Sequence, residues 1–272
     1  WAMQPAMDRR SSPVRSKPNN TSGCTGMNFV MAIWKFLRGL WHVFMGMWAI
    51  YARFPQLSPE QREARVQAWA LQFLALWGIH LKVLGQPVVN GPALIVANHI
   101  SWLDILVMHA ARHCRFVSKS DIRDWPLVGM LATGAGTLYI ERTSRKDALR
   151  MVKDMAEAMK NGDVVAVFPE GTTSDGRELL PFHANLIQAA IAAEAPVQPV
   201  SLKFVDAATG QPSLAPCYIG DDTLVGSMWR TLSAPAIIAV VHFGEPQAAN
   251  GRDRRAWAQD LRKDIIGLRD AA

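Results

Sequence analysis

Residues 93–104, ALIVANHISWLD, hold the segment on which the reading of this chain turns. ALIVA is an unbroken apolar run of strand length, which fits a strand buried on both faces. NHISWLD follows at once, placing a histidine and a carboxylate five positions apart where that strand ends. In a straight helix this spacing turns the two side chains about 140° apart. In a turn that enters a helix they can meet. His99 would then act as a general base, with Asp104 fixing its tautomer and orientation. Ser101 and Asp104 also satisfy a capping box, which alone would account for the carboxylate.

Outward from this segment the chain alternates strand and helix. Strands are predicted at 93–97, 115–118, 137–140, 163–168, 197–204 and 236–243. Helices are predicted at 102–112, 126–133, 145–160, 182–194, 222–232 and 253–267. The clearest helix is 145–160, with Ser144 and Asp147 as a capping box. Ala148, Met151, Val152, Met155 and Met159 form one apolar stripe, and Asn161-Gly162 ends it. Short apolar strands between helices predict an α/β fold, a largely parallel mixed sheet flanked by helices. Ligands gather at the carboxyl ends of such strands.

Two further stretches fall at those ends. FPEGTTSDG, 168–176, offers a tight glycine turn whose backbone N–H groups suit an anion or oxyanion, with Glu170 lodged in it. An ordinary strand-to-helix turn has the same composition. In GTLYIER, 136–142, Arg142 leaves a strand end and can bind phosphate or pair with a surface carboxylate. Lys119 in FVSKSD is a weaker case of the same kind. Three patterns carry no chemistry. GAG at 134–136 lacks the third glycine of a dinucleotide fingerprint, because Tyr139 stands there. His109 and His113 have metal-pair spacing but lack a third ligand, and are read as surface residues. There is no GxSxG elbow.

The N-terminal part differs. Residues 1–26 are rich in Pro, Ser, Asn and Arg without periodicity and are read as a disordered leader, with Met27 a candidate natural start. Residues 27–84 are read as an amphipathic two-helix hairpin, about 28–52 and then from a Ser58/Gln61 capping box to about Leu84. Lys35, Arg38 and His42 share one face of the first helix. Its longest run without Lys or Arg is 14 residues, Gly39–Ala52, short of the about 20 that a span needs. An interfacial, monotopic membrane helix is therefore expected. Residues 85–272 form the α/β domain.

Charge supports this division. Residues 1–60 hold seven basic residues against Asp8 and Glu60, while the remainder is nearly balanced. Basic charge beside apolar helix suits an anionic membrane surface. Nucleic acid is the alternative, but no DNA- or RNA-reading motif accompanies it, and ten tryptophans favour lipid. Half of the 272 residues are hydrophobic, enough for a sizeable core. Three separated cysteines without a CxxC pair point away from a disulfide framework.

Taken in order, NHISWLD, GTLYIER, FPEGTTS and VQPV resemble the four sequence blocks of the glycerolipid acyltransferase family, over roughly residues 85–205. The resemblance is closest to bacterial 1-acyl-sn-glycerol-3-phosphate acyltransferases. It implies O-acyl transfer from acyl-CoA or an acyl carrier protein to a membrane lysolipid. No cofactor or metal is needed, since a thioester is already activated. It implies His99 as base and Asp104 as its partner. Arg142, Glu170, Gly171 and Thr172 would bind the acceptor, Lys119 its phosphate, and Pro199 would shape the acyl-donor side. It places the protein at the cytoplasmic face of a bacterial inner membrane. Two departures bear on the acceptor. Thr173 replaces the arginine of FPEGTRS, and His183 replaces the lysine of LPFK. Residues 116–145 also resemble lyso-ornithine lipid O-acyltransferases, whose acceptor carries no phosphate. A non-catalytic membrane-binding protein of the same fold is the rival from another class, and the intact His99/Asp104 pair argues against it.

Overall fold

A computed structural model describes residues 25–141 and 144–272. The leader, as far as residue 24, and Arg142 lie outside the described residues. Strands β1 (Ile79–Leu84), β2 (Ala93–Ala97), β3 (Arg115–Lys119), β4 (Leu138–Ile140), β5 (Val164–Val167), β6 (Val197–Asp206) and β7 (Ile237–Phe243) form one sheet. Its order is β1-β7-β6-β2-β5-β3-β4. Every neighbouring pair is parallel except β6 with β7. The largely parallel α/β sheet is therefore as expected, and the predicted helices appear as α3 (Asp104–Ala111), α4 (Val128–Gly134), α5 (Arg145–Lys160), α6 (Ala184–Ala193), α7 (Leu224–Ser233) and α8 (Arg254–Asp270).

Helices cover both faces, which is why the central strands are apolar throughout. Met155 and Met159 of α5, Ile187 of α6, and Trp257 and Leu261 of α8 pack on one face against Leu94, Val96 and Val165. Val107 and Met108 of α3 and Leu232 of α7 pack on the other against Ile95, Ala97 and Val200. The capping boxes at Ser58 and Ser144 are both formed.

The N-terminal region differs from its expectation in one element. Helix α1 is Thr25–Ala52, but the second helix, α2 (Pro59–Leu76), stops well short of Leu84. Gly78, at φ +76°, turns the chain, and Ile79–Leu84 becomes edge strand β1, parallel to β7. The apolar run WALQFLALWGI hides this boundary, because a buried helix end and a buried strand share the same composition.

Helix α1 packs with small residues inward and large ones outward. Ala32, Gly39 and Gly46 recur every seven residues and are buried. A Cβ at Gly39 or Gly46 would come within 2.5 Å of the indole Nε1 of Trp77 or Trp69. Trp34, Leu37, Trp41, Phe44, Trp48 and Tyr51, spaced three and four apart, are all exposed. Arg38 and Arg53 lie over the rings of Trp34 and Trp48. His42, expected on the basic face, instead stacks on Trp69 and contacts its carbonyl at 3.0 Å. Among the described residues no helix is long and apolar enough to cross a membrane.

His109 and His113 are not surface residues. They are buried and stacked, 5.2 Å between centroids, beneath α2, whose Gln67 donates to the carbonyls of Ala110 and Ala111. Burial lowers His109 to about 3 and His113 to about 4. Both bind fewer protons folded than unfolded once the pH drops below the ordinary histidine value of about 6.5. Their contribution to stability is therefore lost as the pH falls from there, through about 4 for His113 and towards about 3 for His109. Urea melts of the parent should show this loss, and His109→Leu/His113→Gln should flatten it. Equal slopes for the two proteins would show that these imidazoles are not the acid-sensitive groups.

Asn98 ends β2 by imitating a peptide. Its side chain donates to Leu202 O at 3.0 Å and accepts from Leu202 N at 2.7 Å, extending the β2–β6 ladder where the main chain turns away. Asn98→Ala leaves both groups of Leu202 buried and unpaired, an expected cost of about 2–4 kcal/mol. An unchanged denaturation midpoint would contradict this.

Candidate active site

Strands β2, β3, β4 and β5 run in the same direction, so NHISWLD, Lys119 and FPEGTTS share one rim of the sheet. The turn at 98–104 brings His99 and Asp104 together, with His99 Nδ1 2.8 Å from Asp104 Oδ2. That oxygen also accepts the N–H groups of Ile100 at 2.6 Å and Ser101 at 2.8 Å. An oxygen already accepting two N–H bonds is an acceptor for the ring as well, so Nδ1 carries the hydrogen and Nε2 is the basic nitrogen. Asp104 is fully buried, whereas the His99 side chain is 18% exposed. The capping-box reading is half met. Asp104 accepts from Ser101 N, but Ser101 Oγ accepts from Leu103 N rather than from Asp104 N. The carboxylate thus organises the turn and orients the imidazole together.

The glycine turn supplies the other wall. Phe168 lies parallel beneath the His99 ring, 4.0 Å between centroids. Gly171 has φ +74°, and a Cβ there would meet the His183 imidazole at 2.9 Å. Its own N–H donates to Phe168 O, and the Ser174 N–H donates to His99 O at 2.9 Å. The N–H groups of Thr172 and Thr173 have no protein acceptor among the described residues. Thr172 is exposed, while the Thr173 hydroxyl donates to Tyr218 O. From α8, Arg262 and Arg269 hold the carbonyls of Leu179, Leu180, Gly176 and Arg177, fixing the loop that follows.

Glu170 stands differently from its expectation. Its carboxylate is buried, and its two oxygens accept the N–H groups of His99 and Leu180, each at 2.8 Å. Burial pushes its carboxyl above the usual carboxylate range, against the pull of those two N–H donors. It braces the main chain of the base rather than facing an acceptor. Lys119 ends β3, exposed on the rim. Pro199 lies within β6, level with Val96. A Cβ at Gly244 would meet both Pro199 and Leu268 of α8 at 2.9 Å, which puts the proline ring on the α8 face, away from the Phe168–His99 stack. Arg142 lies outside the described residues.

The sequence reading missed Phe168 and Asn98. The signal for Asn98 was present, an amide directly after five apolar strand residues. For Phe168 there was none, since an aromatic at a strand end is ordinary core composition. The arrangement can take a proton from a hydroxyl at Nε2 and offer backbone donors to a developing oxyanion.

Comparison with known proteins agrees with this chemistry. Residues 80–203 match the model of the family described as Acyltransferase. The 1-acyl-sn-glycerol-3-phosphate acyltransferase of Neisseria gonorrhoeae is 37% identical over 210 residues, covering 76% of this chain and 81% of that one. The lyso-ornithine lipid O-acyltransferase of Pseudomonas aeruginosa is 34% identical over 204 residues, covering 75% and 78%. The crystal structure of PlsC, the 1-acyl-sn-glycerophosphate acyltransferase of Thermotoga maritima, superposes with a TM-score of 0.66 at 19% identity, covering 90% of this chain and 98% of that one. With the His99–Asp104 pair on the sheet rim and relatives of this similarity along three quarters of its length, the chain belongs to the acyltransferase family.

Proposed function

We propose that the chain moves a fatty acyl group from the thioester of acyl-CoA or an acyl carrier protein to the free hydroxyl of a lysolipid. The acceptor is 1-acylglycerol-3-phosphate and the product phosphatidic acid. The observation that carries this reading is the 2.8 Å contact of His99 Nδ1 with buried Asp104, which leaves Nε2 as the base. His99 Nε2 takes the proton of the acceptor hydroxyl as that oxygen attacks the thioester carbonyl. The tetrahedral oxyanion rests on backbone N–H groups of the Gly171 turn. It collapses with cleavage of the C–S bond, and the imidazolium returns the proton to the departing thiolate. Asp104 stabilises the imidazolium formed in between. Lys119 and Arg142 supply positive charge for the acceptor phosphate.

One observation favours a second acceptor. Where the FPEGTRS block that this segment resembles has arginine, Thr173 stands here, with its hydroxyl donating to Tyr218 O. Lyso-ornithine lipid, which has a hydroxyl and no phosphate, is the alternative, and a 34% identical relative bears that name.

The exposed stripe of α1 explains how a sheet rim reaches a lipid. Six large apolar side chains on one helix face, bordered by Arg38 and Arg53, suit the headgroup boundary of an anionic bilayer. The helix then lies in one leaflet, at the cytoplasmic face of a bacterial inner membrane, where acyl donors are found.

His99→Ala should lower kcat by about 10²–10⁴-fold, the usual worth of a general base. Near-parental acyl transfer by this variant would end the assignment. The membrane reading is tested by substitution rather than truncation, because Ala70, Phe73, Leu74 and Trp77 of the same region are buried in the core. Trp41→Glu/Trp48→Glu should keep the parent's melting temperature and lose flotation with anionic liposomes. Flotation at the parental level would mean that another surface is the anchor.

A further inference from the structure

Residues 213–223, between β6 and α7, match none of the four sequence blocks, yet they touch both catalytic turns. The Tyr218 peptide is the joint. Its N–H donates to Ile100 O at 3.1 Å, and its carbonyl accepts the Thr173 hydroxyl. Two residues earlier, Pro216 O accepts Ser101 Oγ at 2.5 Å. Ile100 and Ser101 are the residues whose N–H groups converge on Asp104 Oδ2. Their peptides are therefore held from two sides, by the Asp104 carboxylate and by residues 216–218.

One polar face of α7 holds that segment in turn. Ser227, Arg230 and Thr231, spaced i, i+3 and i+4, form a single stripe. Ser227 Oγ donates to Cys217 O, while the Thr231 hydroxyl bonds Ser227 O at 2.8 Å and lies 3.3 Å from Ala215 O. Arg230 contributes most. Its guanidinium donates to Ala215 O at 3.2 Å and to Cys217 O, and pairs with Asp222 at 2.8 Å. Ser227 also accepts from the indole of Trp102, inside NHISWLD itself. A helix face that turns Ser227 and Arg230 onto the carbonyls of Ala215 and Cys217 is fixing a loop, and this loop ends on the His99–Asp104 turn.

We infer that Arg230 is a positioning residue for acyl transfer, acting through Ala215–Tyr218 to hold the Ile100–Ser101 peptides against Asp104 and so to keep His99 aimed. It touches neither substrate nor the reacting atoms. The inference rests on His99 being the base. Displacement of a reacting group by about 1 Å costs about 10²-fold in rate, so a slackened turn is kinetically visible.

The test uses the full-length protein, assayed with a labelled acyl thioester and a lysolipid. Arg230→Met keeps the aliphatic stem and removes every donor. It should lower kcat by about 10- to 100-fold, leave KM for the acyl donor within about twofold, and shift the pH at which the acid limb of kcat falls. Arg230→Lys should recover part of kcat and of that limb. Arg252→Met is the matched control, since Arg252 holds the Ala248 and Ala249 carbonyls and pairs with Asp260 far along the chain from either turn. It should lose thermal stability and keep both kcat and the limb. Parental kcat and pH limb in Arg230→Met, whatever its melting temperature, would overturn the inference. Should that variant not fold, Asp222→Asn removes the charge that pairs with Arg230 while keeping one acceptor oxygen, and should lower kcat by about threefold or more. An unchanged kcat there overturns the inference equally. Activity in His99→Ala would refute the base assignment first, whereas an inactive His99→Ala beside a fully active Arg230→Met removes this inference alone.

Discussion

A single carboxylate oxygen organises the rim of the sheet where the candidate site lies. Asp104 Oδ2 accepts the His99 imidazole and the N–H groups of Ile100 and Ser101, all within 2.8 Å. Three donors on one buried acceptor define a turn, a helix start and a tautomer at once. Because the group is fully buried, its bonds are not exchanged with water, and unpairing it would expose the full cost of a desolvated charge. The imidazole is fixed on its other sides by Phe168 beneath the ring and by Glu170 on its main-chain N–H. Among the described residues Nε2 has no protein partner, as the general-base role proposed for His99 requires.

The sheet explains why this arrangement sits where it does. Parallel strands β2 and β5 end at the same level, so the histidine turn and the glycine turn must face one another. Asn98 prolongs β2 by one side-chain pairing and so sets the point at which the chain leaves the sheet. Opposite the exposed apolar stripe of α1, Gly39 and Gly46 let that helix lie close on α2 and its Trp77 cap, and α2 in turn packs on α3, the helix that Asp104 begins. Helix α1 and the His99–Asp104 turn are thus joined by packed helices rather than by a flexible linker.

Much of this was legible in the sequence, and the exceptions have physical reasons. ALIVANHISWLD announced a buried strand, a turn and a paired imidazole, because each has its own local signature. Strand β1 was hidden because WALQFLALWGI reads equally as helix end or strand, with Gly78 the only break. His109 and His113 looked like surface residues because imidazoles are seldom buried without a partner, and their cover, α2, comes from far along the chain. Glu170 looked like a ligand for substrate because a carboxylate in a glycine turn is normally solvated. Its real partners, the N–H groups of His99 and Leu180, are main-chain groups that leave no trace in a sequence. The same holds for Tyr218, whose role lies in its peptide rather than its ring.

General-base chemistry at His99 depends on which ring nitrogen carries the hydrogen. Nuclear magnetic resonance of the protein labelled with ¹⁵N-histidine reports this directly, in the neutral state, through the shifts of the two ring nitrogens and their couplings to the ring protons. His99 should show a protonated Nδ1 and an unprotonated Nε2, reversed or averaged in Asp104→Asn. A neutral His99 with its hydrogen on Nε2 in the parent protein would contradict this, because that nitrogen could not then accept the hydroxyl proton.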